Sequence, residues 1–366
     1  MTQKVVVLGA GRVGKVIAAD LSKEFEVTSA DVSQSALASL SSSYPINTRV
    51  TDLGSPAAIG EAIRDADLVV CAVPGHMGFS TLKTIIENGK DVVDISFFAE
   101  DALELNELAR QKGVTAAVDC GLAPGNPDFL AGFYAGQMQI HDFEFLVGGL
   151  HFSRSAPDQY LPTFSPSDVW EEYTRPARYV VDGKLVTMPA LSEPEIVAFD
   201  VAGHHLVLEA FNTDGLRSLI ATMDGRIPNM LIPNMKEKTL RYPGHIGYIR
   251  ELQQTGKPWT PDAWKPADDE DEYTLMRINL HGFENGQEKQ FSYTLFAAWD
   301  PETRFSSMSR TTGYTSTGVA RCVLAGAYKH AGISPPSLIG AAPGCLDRIS
   351  AHLRERNIVF ERTDRV

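Results

Sequence analysis

The chain has 366 residues, of which 43% are hydrophobic and 22% are charged. At about 150 residues per domain, this length predicts two domains, and the composition excludes collagen-like, coiled-coil and disordered classes. The net charge of -13 argues against general binding to nucleic acid or to an anionic membrane, because phosphate groups would repel the protein. No stretch approaches the roughly 20 apolar residues that span a bilayer.

The cysteines and the first residues indicate a reducing compartment. Four scattered cysteines form no CxxC pair and no zinc-type spacing; they are Cys71, Cys120, Cys322 and Cys345. The opening residues, MTQKVVVLGAG, lack the apolar core of a signal peptide. We therefore expect a cytoplasmic protein with free thiols and no bound metal.

Over the first third of the chain, short β-rich runs alternate with helical patterns. The runs predict strands at Lys4–Leu8, Glu26–Ala30, Thr48–Asp52, Leu68–Val73, Asp91–Ile95 and Thr115–Val118. Between them the patterns predict a helix with Val13, Ile17 and Leu21 on one face, then helices at Ser33–Leu40, Pro56–Arg64 and Ser80–Asn88. The alternation predicts an α/β fold, with a doubly wound parallel Rossmann sheet over residues 1–125.

After residue 125 the pattern changes to one typical of antiparallel strands. Asp182-Gly183 and Glu284-Asn285-Gly286 are hairpin signals, each flanked by β-rich residues. They predict a second α+β domain over residues 126–309, built on a mostly antiparallel sheet, which binds substrate and forms the dimer. We expect a helix at about 310–330 that returns to the first domain, and a C-terminal segment over 331–366.

The segment Thr255–Glu272 is rich in proline, tryptophan and acidic residues. It ends in the run Asp268–Glu272, five consecutive acidic side chains. Because like charges repel one another and stay in water, we expect a solvated insert here.

A glycine-rich turn follows the first predicted strand, with the pattern GxGxxG. It comprises Gly9, Ala10, Gly11, Arg12, Val13 and Gly14. The first glycine makes the tight turn, the second lets a pyrophosphate approach the backbone, and the third packs the helix on the sheet. The N-terminus of the helix adds partial positive charge. This context predicts a dinucleotide site; the alternative is a Rossmann sheet that binds no dinucleotide.

Asp31 ends the second predicted strand, 22 residues after Gly9. A carboxylate there can accept hydrogen bonds from both ribose hydroxyls and repels a 2′-phosphate, so we expect NAD rather than NADP. The ends of the other parallel strands meet at the same edge of the sheet. The further cofactor-binding candidates are Val32, Asp52, Leu53, Ala72, Val73, Pro74, Ile95, Gly121 and Leu122.

Several blocks in both predicted domains resemble the saccharopine dehydrogenase-like family, most closely its lysine 6-dehydrogenases. The blocks are GAGRVG at Gly9–Gly14, VVCAVP at Val69–Pro74, VDCGLAPGNPDFLAG at Val118–Gly132, VGGL at Val147–Leu150, YTRPARYVVDGK at Tyr173–Lys184, LEAFNTDG at Leu208–Gly215, KTLRYPGH at Lys238–His245 and MSRTTGYTSTGVA at Met308–Ala320. The resemblance covers nearly the whole chain. It implies an NAD(P)-dependent oxidation of an amine carbon in lysine or a lysine derivative, and a homodimer.

One position distinguishes two branches of this family. Saccharopine reductases usually carry an acid in the block that matches Gly121–Gly125, GLDPG, whereas this chain has Ala123, as lysine 6-dehydrogenases do. The departure argues against saccharopine as the substrate.

The chemistry of amine oxidation suggests the remaining site residues. Arg241 can grip a carboxylate with its planar guanidinium; the other substrate-binding candidates are Cys120, Gly149, Thr239 and Tyr242. For the proton acceptor two candidates stay open, His245 and Asp94. The adjacent His204 and His205 point to opposite faces of a strand, which argues against a shared metal.

We therefore expect NAD-dependent oxidative deamination of an amino acid. The favoured reaction takes L-lysine at its ε-carbon and gives ammonia, NADH and a semialdehyde that cyclises. One alternative is a condensing reductase of the saccharopine type that uses NADPH. The other is an NAD-binding sensor or assembly protein without catalytic activity.

Overall fold

The computed structural model describes residues 2–221, 225, 227, 230–255 and 271–365. Two compact units share the chain. The first comprises Met1–Phe133 and Ser309–Arg356, and the second comprises Tyr134–Met308 and Asn357–Val366. Residues 331–366, which we expected to be one segment, are thus divided between the units. In the described part of the chain, no helix is long and apolar enough to cross a membrane.

The first unit is built on a parallel sheet. Its strands are β1 (Lys4–Leu8), β2 (Glu26–Asp31), β3 (Asn47–Val50), β4 (Leu68–Cys71), β5 (Val92–Asp94), β6 (Thr115–Ala117) and, numbered in chain order, β15 (Gly332–Ser334). They lie in the order β15-β6-β5-β4-β1-β2-β3, and every neighbouring pair is parallel. The prediction of a Rossmann sheet is confirmed, with β15 as a seventh strand that the sequence did not predict.

Helices alternate with these strands. They are α1 (Arg12–Leu21), α2 (Gln34–Ser43), α3 (Pro56–Ala62), α4 (Gly75–Glu87), α5 (Asn106–Lys112), α6 (Asn126–Ala135), α10 (Ser307–Leu324), α11 (Pro336–Ala341) and α12 (Cys345–Arg354). Serine caps fix two of the starts, because Ser33 Oγ accepts a hydrogen bond from Ala36 N and Ser55 Oγ from Ala58 N. A central apolar layer of the sheet is fully buried, as parallel strands covered on both faces require.

The second unit contains a mixed sheet that is mostly antiparallel. Its strands are β7 (Gln139–His151), β8 (Ala177–Val181), β9 (Lys184–Met188), β10 (Glu195–Val201), β11 (His204–Asn212), β12 (Asn234–Arg241), β13 (Glu272–Glu284), β14 (Gln287–Ala298) and β16 (Phe360–Arg365), and its helices are α7 (Pro166–Thr174), α8 (Ser218–Ala221) and α9 (His245–Gln254). The main path runs β10-β11-β12-β7-β13-β14-β16. Only β12 and β7 pair in parallel among these neighbours in the described chain.

Both predicted hairpins form. Asp182 and Gly183 have φ angles of 50° and 74°, and Asn285 and Gly286 have φ angles of 51° and 78°. Positive φ at both central positions gives the turn whose twist matches the flanking strands. The second hairpin joins β13 to β14, which pair along as many residues as β13 and β7 do.

The acidic run at the end of the insert does not form a uniformly solvated surface. Asp268 and most of the segment lie outside the described residues. Glu272, however, is only 1% exposed. Its carboxylate accepts hydrogen bonds from Ser307 N at 2.6 Å, Ser307 Oγ at 2.7 Å and Met308 N at 3.1 Å. Glu272 therefore caps the start of α10, where the helix dipole favours negative charge, and the expectation of solvation is wrong for this residue.

Candidate cofactor and substrate sites

The glycine-rich turn between β1 and α1 has a different constraint at each glycine. Gly9 adopts a φ of 104°, and a Cβ there would lie 2.4 Å from Ala72 O. A Cβ on Gly14 would lie 2.0 Å from Gly9 O, so the fold itself excludes a side chain at both positions. At Gly11 a Cβ would meet no atom within 4 Å. The second glycine therefore leaves open a space beside the start of α1, as a pyrophosphate requires.

Asp31 is held at the end of β2, close to the turn. One of its carboxylate oxygens accepts a hydrogen bond from Ala10 N at 2.6 Å and the other from Ser33 N at 2.7 Å. Each oxygen keeps a further lone pair for a ribose hydroxyl. Val32 beside it is 73% exposed. These residues fit a dinucleotide, with α1 facing its phosphates and Asp31 its adenosine ribose. A bound dinucleotide would supply the hydride acceptor.

The other predicted cofactor residues lie where the parallel strands end. Ala72, Val73 and Pro74 follow β4, Asp52 and Leu53 follow β3, Ile95 follows β5, Gly121 and Leu122 follow β6, and Arg12 and Val13 begin α1. Asp52 accepts a hydrogen bond from Gly54 N at 2.9 Å, which orders its loop. All these positions belong to the first unit.

Asp94 ends β5 and is completely buried. Its carboxylate accepts hydrogen bonds from Ser96 N at 2.9 Å and Ser96 Oγ at 3.2 Å. Burial raises the pKa of Asp94 to about 7, partly offset by hydrogen bonds from Cys71 and Ser96. A carboxyl group with this pKa can take up and release a proton near neutrality, which is what a general base needs.

The turn Gly121–Gly125 follows Cys120. Gly125 adopts a φ of 141°, and Gly121 N donates to Pro124 O at 3.1 Å, which closes the turn. The thiol of Cys120 is buried, and burial raises its pKa, so it stays protonated and lacks the thiolate of a nucleophile. Four of the five turn residues are buried, and Ala123 alone is partly exposed. Solvent can therefore reach Ala123, unlike the rest of the turn.

Arg241, the predicted carboxylate clamp, ends β12 and is only 2% exposed. Its Nη2 lies 2.5 Å from Glu172 Oε2, its Nε donates to Tyr173 Oη at 3.0 Å, and its Nη1 donates to Leu240 O at 2.9 Å. The guanidinium also lies over the Tyr160 ring, 4.1 Å from the centroid. The sequence did not show that this arginine already pairs with a carboxylate of its own chain. These three bonds use one N–H group each on Nε, Nη1 and Nη2, and Nη1 and Nη2 each carry a second N–H group.

His245 begins α9 beside this pair and is 1% exposed. Its Nε2 is 2.9 Å from Tyr173 Oη, and its Nδ1 is 2.7 Å from Pro157 O. Burial, with the charge of Arg241, lowers the pKa of His245 to about 3. Because both ring nitrogens have hydrogen-bond partners and the low pKa makes the ring a weak base, His245 is a poor proton acceptor. Its Nε2 contacts the Tyr173 hydroxyl, and that hydroxyl accepts the hydrogen bond from Arg241 Nε.

The other predicted substrate residues of the second unit are also engaged. Thr239 Oγ1 is 2.9 Å from Thr213 Oγ1, and Tyr242 Oη is 3.0 Å from Tyr273 Oη. At Gly149, a Cβ would lie 2.2 Å from Thr163 Oγ1. The structure thus gives Gly149 a packing role, because the strand and the Thr163 side chain touch there.

Glu237 is a buried carboxyl group that sequence reasoning missed. It is 3% exposed on β12, and its Oε2 accepts hydrogen bonds from Thr213 Oγ1 and from Gly215 N at 3.2 Å. Burial raises the pKa of Glu237 from its ordinary value of 4.5 to about 8. Its sequence neighbours, Lys236 and Lys238, make the position look like part of an exposed charged loop, so no sequence signal marked it.

The raised pKa of Glu237 predicts a dependence of stability on pH. Between about pH 4.5 and about pH 8 the folded carboxyl keeps its proton while the unfolded one has lost it. The unfolded state then binds fewer protons, so the free energy of unfolding falls as the pH rises through this range. In Glu237→Gln the amide oxygen can accept both hydrogen bonds, and this part of the fall should vanish. Urea unfolding of both proteins at either end of the range measures it; parallel pH profiles would contradict the assignment.

Comparison with known proteins places the chain in a family. Residues 5–117 match the saccharopine dehydrogenase NADP binding domain, and residues 121–358 match the saccharopine dehydrogenase C-terminal domain. The chain belongs to the saccharopine dehydrogenase family. The family expected from the motifs is therefore confirmed. The first unit contains an NAD(P)-binding domain, and a preference for NAD over NADP stays a prediction.

Individual relatives of this saccharopine dehydrogenase family member cover it to different extents. Saccharopine dehydrogenase (NADP(+), L-glutamate-forming) from Pyricularia oryzae is 25% identical over 284 residues, which are 73% of this chain and 62% of that protein. The mitochondrial alpha-aminoadipic semialdehyde synthase of Rattus norvegicus is 26% identical over 196 residues, 51% of this chain and 21% of that protein. The chain thus spans less than two thirds of the length of either relative.

A solved structure shares the fold over the whole chain. Apo saccharopine dehydrogenase (L-Glu forming) from Saccharomyces cerevisiae superposes with a TM-score of 0.77 at 18% identity, with 100% of both chains covered. These named relatives are saccharopine dehydrogenases and a semialdehyde synthase, whereas the sequence motifs favoured lysine 6-dehydrogenases. The expectation about the branch of the family therefore remains to be tested by substrate.

Proposed function

We propose that this chain is an NAD-dependent oxidoreductase that removes hydride from an amine-bearing carbon of a lysine-type amino acid. L-lysine, oxidised at its ε-carbon, is the favoured substrate. Loss of hydride gives an imine, and water then releases ammonia and leaves a semialdehyde that cyclises.

The observation that carries the choice of substrate is the side chain at position 123. Ala123 is the partly exposed residue of the turn Gly121–Gly125, at the position where saccharopine reductases usually have an acid. A methyl group there offers no charge to the secondary amine of a bulky substrate. It suits a smaller substrate with one amino acid head group.

Residues of this chain would bind the substrate carboxylate and accept the proton. Arg241 would bind the substrate carboxylate through its guanidinium, and because that group is only 2% exposed, a neighbouring side chain would have to move to admit the substrate. Asp94 is the proton acceptor that we propose, since its pKa of about 7 matches the task.

The proposal is tested by incubating the protein with NAD or NADP and a panel of amines, while absorbance of the reduced cofactor is followed. The panel contains lysine, ornithine, related diamines and saccharopine. Reduction of NAD with lysine is the expected result. Reaction with saccharopine alone would favour the condensing reductase, and no reaction with any amine would favour a binding protein without catalysis.

A single substitution should move the specificity. In Ala123→Asp the new carboxylate should lower kcat/KM for lysine and raise it for saccharopine, by at least about tenfold in their ratio, a difference of about 1.4 kcal/mol. Ala123→Ser, which adds a polar group of similar size without charge, is the matched control and should change the ratio little. If the two variants have the same ratio of kcat/KM for the two substrates, the side chain at position 123 does not determine substrate specificity.

A further inference from the structure

The pairing of β7 with β13 brings together two histidines and an aspartate in the second unit. His281 is the register partner of Asp142, and Gly282 is that of Ile140, so the register skips His141. This bulge re-aims the His141 side chain, which would otherwise point to the opposite face from its neighbour Asp142. One ligand atom from each residue lies within 4.8 Å of the others. Among the residues that the structure describes, no other three histidine, cysteine or carboxylate side chains form such a group. No motif in the sequence marks this group, because His281 is 139 positions from Asp142.

The geometry converges on one oxygen. Asp142 Oδ2 is 3.0 Å from His141 Nδ1 and 2.7 Å from His281 Nδ1. The other oxygen of Asp142 accepts a hydrogen bond from Asn234 Nδ2 at 3.0 Å, which fixes the orientation of the carboxylate. Two imidazole nitrogens and one carboxylate oxygen, all of them possible metal ligands, are therefore already close together.

A further carboxylate supports one of the rings. Glu288 Oε1 is 2.8 Å from His281 Nε2, on the side of the ring that faces away from Asp142. In metal sites the ligand histidine commonly donates its second N–H to a carboxylate, which fixes the ring and makes it a stronger ligand. Glu288 occupies that position.

We propose that His141, Asp142 and His281 bind one divalent transition-metal ion, with zinc as the favoured ion. Two imidazoles and one carboxylate form a three-ligand set that leaves a position for water. Ligand atoms around tetrahedral zinc lie about 3.3 Å apart, from a Zn–N distance of about 2.0–2.1 Å, so small side-chain rotations suffice. The site is accessible, since the side chains of His141 and Asp142 are 51% and 48% exposed.

Bound zinc would join β7 to β13 and displace the proton from His281 Nδ1. Imidazole and carboxylate ligands also suit copper and nickel. The proposal concerns the second unit alone and does not depend on the substrate of the oxidoreductase.

The test is titration of the tag-free, metal-free full chain with zinc chloride by calorimetry. We expect one equivalent to bind, and we expect His281→Ala and Asp142→Asn each to weaken binding at least about tenfold. His205→Ala is the matched control: His205 Nδ1 lies 2.7 Å from Asp200 Oδ1 in an exposed histidine–aspartate pair outside the group of three. It should bind zinc as the unchanged protein does.

A second measurement covers the case in which His281→Ala fails to fold. His141 is the most exposed of the three ligands, so His141→Ala should keep the fold, as circular dichroism will show. Excess zinc should raise the melting temperature of the unchanged protein and of His205→Ala, and not that of His141→Ala. Absence of stoichiometric binding, or equal affinity in His141→Ala and the unchanged protein, would overturn the proposal.

Discussion

Arg241→Ala should destabilise the second unit by about 3–5 kcal/mol, the loss expected when one partner of a buried ion pair is removed. The substitution leaves the Glu172 carboxylate, 16% exposed, without the guanidinium that lies 2.5 Å from it. It also removes the donor to Tyr173 Oη and the cation above the Tyr160 ring. Urea unfolding gives the free energy.

The matched control is Arg49→Ala. Arg49 and Glu61 also pair at 2.5 Å, but their side chains are 39% and 58% exposed. Solvent screens such a pair, so its loss should cost less than about 1 kcal/mol. If Arg241→Ala and Arg49→Ala lower the free energy of unfolding equally, the buried pair of Arg241 and Glu172 contributes no more to stability than an exposed pair.

The clamp function of Arg241 needs a variant that folds. Arg241→Met combined with Glu172→Gln removes both charges, and replacing a buried ion pair with uncharged side chains of similar volume is often neutral for stability. This double variant should raise the KM for lysine at least about tenfold while the Kd for NAD stays the same. An unchanged KM would limit Arg241 to a structural role.

Gly11→Ala should abolish most dinucleotide binding without loss of fold. A Cβ at Gly11 meets no protein atom within 4 Å, so the free protein tolerates it, yet the methyl group enters the space that a pyrophosphate needs. We expect the Kd for NAD to rise at least about tenfold, a loss of about 1.4 kcal/mol of binding energy. Fluorescence titration with NADH measures it.

Gly247→Ala is the control for this substitution. Gly247 lies within α9 and also has no atom within 4 Å of an added Cβ. Alanine is the better helix former, so this variant should bind NAD normally and be slightly more stable. Normal NAD binding by Gly11→Ala would place the pyrophosphate elsewhere.

The sequence predicted the parallel sheet of the first unit well because local signals agree there. Lys4–Leu8 contains four consecutive apolar residues after its lysine, and it forms β1 at the predicted bounds. The Asp182-Gly183 turn likewise needs only two residues with positive φ. Such features depend on neighbours in the chain, which a single sequence contains.

Strands without local signals were missed. In the turn between β10 and β11, Ala202 has a φ of 50°. Alanine rarely adopts this conformation, so its presence in the sequence does not indicate a turn. β12 carries the charged residues Lys236, Glu237 and Lys238 in succession, and this composition argues against a buried strand. Its charges are satisfied by residues distant in sequence, for example Lys238 by Glu195 at 2.5 Å.

The candidate site shows the same division. The close approach at Gly9 and Gly14 could be predicted because the short segment Gly9–Gly14 and the strand before it determine the turn, whereas the binding of a dinucleotide there stays a prediction. The pairing of Arg241 with Glu172 joins residues 69 positions apart, so the sequence could name the arginine but not its partner. For the same reason His245 looked like a base: its burial and its two hydrogen-bond partners come from other segments.

The strand β15 gives the first unit an unusual order of assembly during synthesis. Gly332 pairs with Thr115 in the parallel register, so 217 residues of chain separate them (332 minus 115). At about 5–20 residues per second, a ribosome adds that length in roughly 10–40 s. For that time β6 is an open edge of the nascent sheet, and an open parallel edge is a site at which other chains can pair. A chaperone that covers this edge would therefore act before β15, which lies in the last tenth of the chain, is made.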